Sequence, residues 1–361
     1  MKDISRLALE EKVGQLFFLG FHGHEPDRET RALLEVIRPG GIVFSRRNIE
    51  TFDQTARLTA RFVEGREIPA LAAIAQEGGT ADQLRHLYSP IPSASETASA
   101  GMARLRLLAR IIGGELQAAG FNTLLGPSLD LATPGSILRD RTLGASPAAV
   151  TRIANAFVEE VAESGILTCG KHFPGLGSVR RDPHFALPQI DKPKKLLLVE
   201  DIPPFVNLFP TLPMIMVGHA YFPALAEGRP MPACLSPRIV DRLLRRKLGY
   251  PGVIVTDDMT LGAVTSLGLT PERFLEALEA GNDMLLFSQT TPLVEQAFHD
   301  IVRSARQSLA LSNRITASVQ RILALKRRIP PPVRNRANVR TRILRHIERL
   351  SRDVEIAAKV R

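Results

Sequence analysis

The sequence predicts an α/β protein folded as a (β/α)8 barrel of the TIM type. Eight short apolar runs recur along the chain, and helical patterns lie between most of them. Each run is continuously apolar rather than alternating, which is typical of parallel strands buried on both faces. Strands that alternate with helices form a parallel sheet, and eight of them favour a closed barrel. No glycine-rich phosphate fingerprint follows the first run, so a dinucleotide-binding fold is disfavoured.

The predicted strands are 15–19, 41–45, 70–74, 122–125, 165–169, 214–217, 252–256 and 283–287. Two clear helical patterns are 148–161 and 236–246. For the second, we predict Ser236 as the N-cap and Pro237 as the first helical residue, because both residue types favour those positions. The run Pro330-Pro331-Pro332 is the predicted boundary between a barrel, residues 1–329, and a short, basic, partly helical C-terminal extension, residues 330–361.

The positive charge of the chain is concentrated at its C-terminal end. The 361 residues are 44% hydrophobic and 23% charged, with a net charge of +10. Residues 326–361 contain twelve Lys or Arg against three acids, a net of +9. A basic stretch this local, with almost no aromatic residues, does not indicate a nucleic-acid-binding face. We predict a solvated extension, with weak contact to a polyanion or a membrane surface as the alternative.

The two cysteines and the N-terminal segment bear on the compartment. Cys169 and Cys234 are too few for a disulfide framework and indicate a reducing environment. The N-terminal segment carries acids and lacks a cationic start with a long apolar region, so no signal peptide is predicted. No apolar run reaches the roughly 18 to 20 residues that span a bilayer. We expect a soluble, cytoplasmic protein with no stable membrane insertion and no nucleic-acid partner; the oligomeric state is not predicted.

Polar residues follow the predicted strands one after another, where a barrel enzyme places its active site. Asp257 ends a buried strand, where a carboxylate is costly unless it has partners or a function, so it is the candidate nucleophile. Adjacent residues of an extended segment point to opposite sides, so only one of Asp257 and Asp258 should face the barrel mouth. Helix capping is the expected role of Asp258.

The segment 171–188 places two histidines, a lysine and an aspartate in one predicted loop. Lys171, His172, Asp182 and His184 alternate there with glycines and prolines, which favour an exposed, irregular backbone. An ordinary basic loop with two chance histidines fits these residues equally well. Histidine suits proton transfer near neutral pH, and Asp182 could orient the ring of His184. With a carboxylate nucleophile, this pair would suffice for two-step retaining glycoside hydrolysis.

A metal-dependent barrel hydrolase is the remote alternative. His22 and His24 form an HxH pair after the first strand, a spacing that such enzymes use. His172, His219 and Asp257 could complete a metal site. The glycosidase mechanism, in contrast, needs no metal or organic cofactor.

Several segments together resemble glycoside hydrolase family 3 β-N-acetylglucosaminidases of the NagZ type. The resemblance runs from Glu10 to about Lys326. The segments that carry it are 10–18, 40–45, 76–79, 140–144, 171–175, 235–237, 256–259 and 280–284. The loop that starts Lys-His-Phe-Pro-Gly and ends in Asp-x-His is highly specific to this group.

The resemblance implies an exo-acting, retaining β-N-acetylhexosaminidase of the type that recycles cell-wall muropeptides. Asp257 would form the glycosyl-enzyme, and His184, oriented by Asp182, would act as acid and then base. Its substrate would be a small carbohydrate, a terminal N-acetylglucosaminide. Three residues would bind the non-reducing sugar: Arg141, Lys171 and His172.

The chain departs from the family pattern around the expected sugar site. Ala75 and Gln83 stand where the family has an Asp and an Arg that grip distal hydroxyls, and Leu176 replaces a histidine. Each lost charged hydrogen bond removes roughly 1.5 to 3 kcal/mol. Asp82 or Arg85 could compensate from shifted positions. The alternatives are therefore a glycosidase of the same mechanism with altered sugar specificity, or a non-catalytic barrel that binds a sugar or a protein.

Overall fold

The structure, a computed structural model, describes residues 3–226, 228–268, 270–331 and 336–359. Eight parallel strands close into a barrel in chain order, because β1 pairs with both β2 and β8. The strands are β1 Phe17–Leu19, β2 Gly41–Phe44, β3 Leu71–Ile74, β4 Thr123–Leu124, β5 Leu167–Phe173, β6 Met214–Val217, β7 Val253–Asp258 and β8 Met284–Phe287. The predicted (β/α)8 barrel is confirmed, and each strand overlaps one predicted run.

Helices surround the barrel and join its strands. The α-helices are α1 Leu9–Gly14, α2 Arg28–Ile37, α3 Phe52–Val63, α4 Ala94–Ser99, α5 Met102–Ala119, α6 Pro147–Glu163, α7 Lys194–Leu196, α8 Pro203–Leu208, α9 Gly262–Thr265, α10 Pro271–Ala280, α11 Pro292–Gln307, α12 Leu309–Lys326 and α13 Arg336–Lys359. Short 3-10 helices cover Ile4–Arg6, Arg46–Asn48, Arg139–Arg141 and Ala233–Leu235, and π-helices cover Leu197–Asp201 and Arg238–Lys247.

The strands are buried on both faces, as continuous apolar runs require. Every residue of β3, β6 and β8 is buried, with side chains packed alternately inside the barrel and under the helices. The polar residues accordingly collect beyond the strand ends.

The helix after Ser236 begins where predicted but winds differently. Pro237 already has helical angles, with φ −59° and ψ −26°, and the Ser236 carbonyl accepts a hydrogen bond from the Val240 amide at 3.0 Å. No side-chain hydrogen bond caps this start, so the predicted capping by the Ser236 hydroxyl is not formed. The Arg242 amide bonds to the Pro237 carbonyl at 2.9 Å, a five-residue step that gives a π-helix.

The C-terminal helix α13 packs against the barrel instead of lying free in solvent. Val339, Ile343, Ile347 and Leu350 recur at intervals of three or four residues and are all buried. Gly114 of α5 allows the close approach, since a Cβ at that position would lie 3.1 Å from the Ile343 side chain. The predicted helix is confirmed, but the predicted solvated extension is wrong for this face. The segment is rich in arginine, but its apolar residues follow the spacing of an amphipathic helix.

The division of the chain after residue 329 stays a prediction, and Pro332 of the proposed boundary lies outside the described residues. Across the described ranges, no helix combines the length and apolar character needed to cross a membrane.

Candidate active site

One cavity of about 360 Å3 opens at the carboxyl ends of the strands. It is lined by all six residues predicted to act in catalysis or sugar binding: Arg141, Lys171, His172, Asp182, His184 and Asp257. Two strand ends, one 3-10 helix and the loop after β5 contribute them. Apart from Asp258, apolar side chains form the rest of the wall, as in most small-molecule sites.

Lys171 and His172 lie on β5, which continues to Phe173, so their predicted place in the loop is wrong. Neighbouring strand residues normally face opposite sides, yet both line the cavity. The register between β5 and β6 shifts between Gly170 and Phe173. Such an irregularity re-aims side chains, and it is common beside active sites.

The end of β7 shows a similar register shift. Its register with β8 shifts before Asp258, and Asp257 and Asp258 both line the cavity, so the expectation that only one would do so is wrong. Nor does Asp258 cap a helix. Its Oδ1 accepts hydrogen bonds from the Thr260 amide at 3.0 Å and the Ser288 amide at 3.1 Å, which ties β7 to the end of β8.

The surroundings of Asp257 keep its carboxylate ionised. Burial alone would raise the pKa of Asp257, but His219, His172 and the Asp258 amide lower it below its ordinary value. The Asp258 amide donates to Asp257 Oδ1 at 2.8 Å. An ionised, partly buried carboxylate with one oxygen held by the backbone is suited to attack as a nucleophile.

Glu77, to which the sequence analysis gave no role, anchors two of the predicted sugar-binding cations. Its Oε2 accepts from Arg141 Nε at 3.0 Å and Nη2 at 2.9 Å, and from Lys171 Nζ at 3.0 Å. Burial would raise the pKa of Glu77, but Arg141 and Lys171 lower it from 4.5 to about 2. The feature of the sequence that could have indicated a role for Glu77 is its position after β3. Its partners are 64 and 94 residues away, and no local pattern reveals them.

Asp130 orients His172 in the same way. His172 Nδ1 donates to Asp130 Oδ2 at 2.8 Å, and the Leu176 amide donates to Oδ1 at 2.6 Å. Burial would raise the pKa of Asp130, but His172 lowers it below its ordinary value, so the acceptor stays ionised. Because Nδ1 is engaged, Nε2 is the His172 atom left for a ligand.

Asp182 and His184 pair as predicted. His184 Nδ1 donates to Asp182 Oδ1 at 2.6 Å, and the His184 amide donates to the same oxygen at 2.9 Å. The His184 side chain is 67% exposed, so this pair lies at the open side of the cavity. The Asp182 carboxylate therefore orients the imidazole and leaves Nε2 for proton transfer.

Asp82 does not restore the family's distal sugar grip. Ala75 lines the cavity, while Gln83 accepts the Arg46 amide at 3.0 Å through Oε1. Asp82 is buried and accepts from Gln76 Nε2 at 2.9 Å and the Ile91 amide at 3.0 Å. These bonds commit Asp82 to holding its own loop.

His22 and His24 have separate partners. His22 Nε2 lies 2.9 Å from Gln289 Oε1, and His24 Nδ1 lies 3.6 Å from Glu50. His219 and His172 point to the Asp258 carbonyl and to Asp130 instead. Over the part of the chain that the structure describes, no three His, Cys, Asp or Glu side chains are grouped to hold a metal ion.

A carboxylate and a carboxylate-oriented imidazole at one small cavity of a (β/α)8 barrel define a barrel enzyme equipped for nucleophilic and acid/base chemistry. The model of the glycosyl hydrolase family 3 N terminal domain matches residues 8–325, so the chain belongs to that family and is a glycoside hydrolase. The predicted family and enzyme class are confirmed.

Named relatives agree with this assignment. A beta-hexosaminidase of Idiomarina loihiensis is 31% identical over 269 residues, covering 73% of this chain and 81% of its own. A family 3 β-N-acetylglucosaminidase from Paenibacillus sp. str. FPU-7 superposes with a TM-score of 0.87 at 32% identity, over 96% of this chain and 69% of that one. NagZ from Neisseria gonorrhoeae, solved with N-trifluoroacetyl-D-glucosamine, has a TM-score of 0.72 at 25% identity, over 86% and 98%.

Proposed function

We propose that this protein is a retaining, exo-acting β-N-acetylhexosaminidase that releases terminal N-acetylglucosamine. The observation that carries the proposal is the joint presence of Asp257, His184 and Asp182 at one cavity of a family 3 barrel. The relatives named beta-hexosaminidase and β-N-acetylglucosaminidase support the choice of sugar.

The proposed reaction has two steps. The Asp257 carboxylate attacks the anomeric carbon while protonated His184 gives its Nε2 proton to the leaving oxygen, which yields the free aglycone and a glycosyl-enzyme. His184, then neutral, takes a proton from water, which attacks the same carbon and releases the sugar and Asp257. Asp182 holds the ring through Nδ1 and stabilises its charged form.

The sugar would lie against the polar side of the cavity. Arg141 and Lys171 are held by Glu77, and His172 is held by Asp130, so these donors are fixed before a ligand arrives. Preorganised donors reduce the entropy lost on binding. A cavity of about 360 Å3 is at the lower end of small-ligand sites, which favours one terminal sugar unit and hence exo action.

We extend the proposal to a cytoplasmic enzyme that acts on N-acetylglucosaminides of the muropeptide type. Two free, buried cysteines are compatible with a reducing compartment.

A second candidate is a glycosidase of the same mechanism with another sugar preference. It is favoured by one observation, the apolar Ala75 in the cavity wall without a replacement carboxylate from Asp82.

Hydrolysis of a panel of aryl β-glycosides tests both proposals. We expect the wild type to prefer the β-N-acetylglucosaminide, and Asp257→Ala to fall to background because no nucleophile remains. His184→Ala should lose about 10²–10⁴-fold with a poor leaving group and less with a good one, because a good leaving group needs little protonation. Mass spectrometry of acid-quenched wild type should find one sugar on the peptide that contains Asp257.

Asp53→Ala, an exposed acid of α3, is the matched control and should keep full activity. Preference for another sugar would establish the second candidate. Wild-type turnover that survives in Asp257→Ala would refute the mechanism, and no turnover of any glycoside would favour a binding protein.

A further inference from the structure

His219 and Cys234 form a buried pair behind the end of β7. His219 follows β6, Cys234 lies in the 3-10 helix Ala233–Leu235, and both are fully buried. Cys234 Sγ lies 3.3 Å from His219 Nδ1, and His219 Nε2 lies 2.9 Å from the carbonyl oxygen of Asp258. The imidazole therefore joins a thiol to the main chain next to Asp257.

For a neutral His219 ring, the chemistry of its partners fixes where the proton lies. The carbonyl of Asp258 can only accept, so His219 Nε2 carries a proton and donates it. In the neutral ring Nδ1 is then an acceptor, and the S–H of Cys234 is the donor that faces it. The thiol thereby selects the tautomer, as carboxylates and carbonyls do for other buried histidines.

Asp258, whose carbonyl is bound by His219, also contacts Asp257 through its amide. The Asp258 amide donates to Asp257 Oδ1 at 2.8 Å, and its carbonyl accepts from His219. The register of this segment with β8 shifts between Val255 and Asp258, so regular pairing supports it less than it supports the rest of the strand. An irregular strand end that positions a reacting group needs support from side chains.

We propose that Cys234 and His219 are positioning residues that fix the Asp257–Asp258 backbone through a thiol–imidazole–carbonyl chain. The inference rests on the proposed role of Asp257 as nucleophile. Neither side chain would touch the substrate. Their contribution is to hold the attacking carboxylate within the narrow range of positions from which it reaches the anomeric carbon.

Steady-state kinetics on the aryl β-N-acetylglucosaminide tests the inference. Cys234→Ala leaves Nδ1 buried without its donor, and we expect kcat to fall about three- to tenfold with little change in KM. Cys234→Ser keeps a donor on a slightly shorter arm, so its kcat should lie between those of wild type and Cys234→Ala. Cys169→Ala is the matched control: it removes the other buried thiol, and its kcat should equal that of wild type. An unchanged kcat in Cys234→Ala, or an equal loss in the Ala and Ser variants, would overturn the inference.

The infrared S–H stretch provides a readout that needs neither turnover nor an effect on folding. The difference spectrum between wild type and Cys234→Ala isolates the Cys234 band, which we expect at lower frequency than the Cys169 band because its thiol donates a hydrogen bond. His219→Gln, which can still donate to the Asp258 carbonyl, should raise that frequency. A Cys234 band at the frequency of Cys169 refutes the chain of bonds even if the wild type proves inactive on every glycoside. The failure of the inference is thus separable from that of the proposed function.

Discussion

Replacing Glu77 by glutamine should remove the charge that anchors Arg141 and Lys171, the predicted sugar-binding cations, while keeping the shape of the side chain. Glu77 is 3% exposed and its pKa is lowered from 4.5 to about 2. A shift of this size at about 1.4 kcal/mol per pKa unit corresponds to roughly 3 kcal/mol of folding stability. Loss of one partner of a buried ion pair typically costs about 3–5 kcal/mol, which agrees. We expect Glu77→Gln to lower the free energy of unfolding by about 3 kcal/mol at pH 7 and to raise KM, because Arg141 and Lys171 lose their common acceptor.

The pH dependence of the stability provides a second test of this prediction. A carboxyl whose folded pKa is depressed contributes stability above its unfolded pKa and loses it as the pH falls through the folded pKa. Urea unfolding should therefore show that the free energies of unfolding of wild type and Glu77→Gln differ by a constant amount down to about pH 4.5. This gap should close toward pH 2. Glu35→Gln, an exposed change of the same size, is the control and should show no gap. A gap that is absent at pH 7, or that persists undiminished at pH 2.5, would refute the reasoning.

Three further predictions concern the sugar wall, the C-terminal helix and a buried acid. Ala75→Asp should lower KM for the N-acetylglucosaminide about tenfold by adding a charged acceptor; an unchanged KM would show that this wall does not meet the sugar. Ile347→Ala should cost about 2–5 kcal/mol in urea unfolding, whereas Ile356→Ala, 54% exposed, should cost little. Burial raises the pKa of Glu115, so its contribution is present at low pH and lost as the pH rises through the folded pKa. Glu115→Gln should accordingly flatten the fall in stability on the alkaline side, and identical pH profiles would contradict this.

The sequence was most informative where burial and chain direction determine structure. Continuous apolar runs of four or five residues favour strands covered on both faces, and the carboxyl ends of such strands meet at one end of a barrel. Asp257 and His184 could therefore be assigned to one site although 73 residues separate them. The spacing of Asp182 and His184 also sufficed for their pairing, because two residues in one turn are close by covalent geometry.

Features that depend on register or on distant partners were not predictable. The shift between Gly170 and Phe173 arises from pairing with β6, and nothing in the local sequence marks it. Glu77 gains its role only when the chain brings Arg141 and Lys171 to it. In the same way, Ile343 could pack on α5 only because Gly114 leaves room, which neither segment reveals alone.

The two proposed catalytic groups differ in their exposure to solvent. His184 and Asp182 lie on an exposed loop, 67% and 41% open to water, while Asp257 is partly buried at the end of β7. We therefore expect a small weak acid from solution, such as formate, to reach the space left by a truncated His184 and to restore part of its proton transfer. The Asp257 carboxylate is instead held in place by the main chain, through the hydrogen bond from the Asp258 amide. In the proposed mechanism, the proton donor is therefore open to solvent, whereas the nucleophile is positioned by the end of a barrel strand.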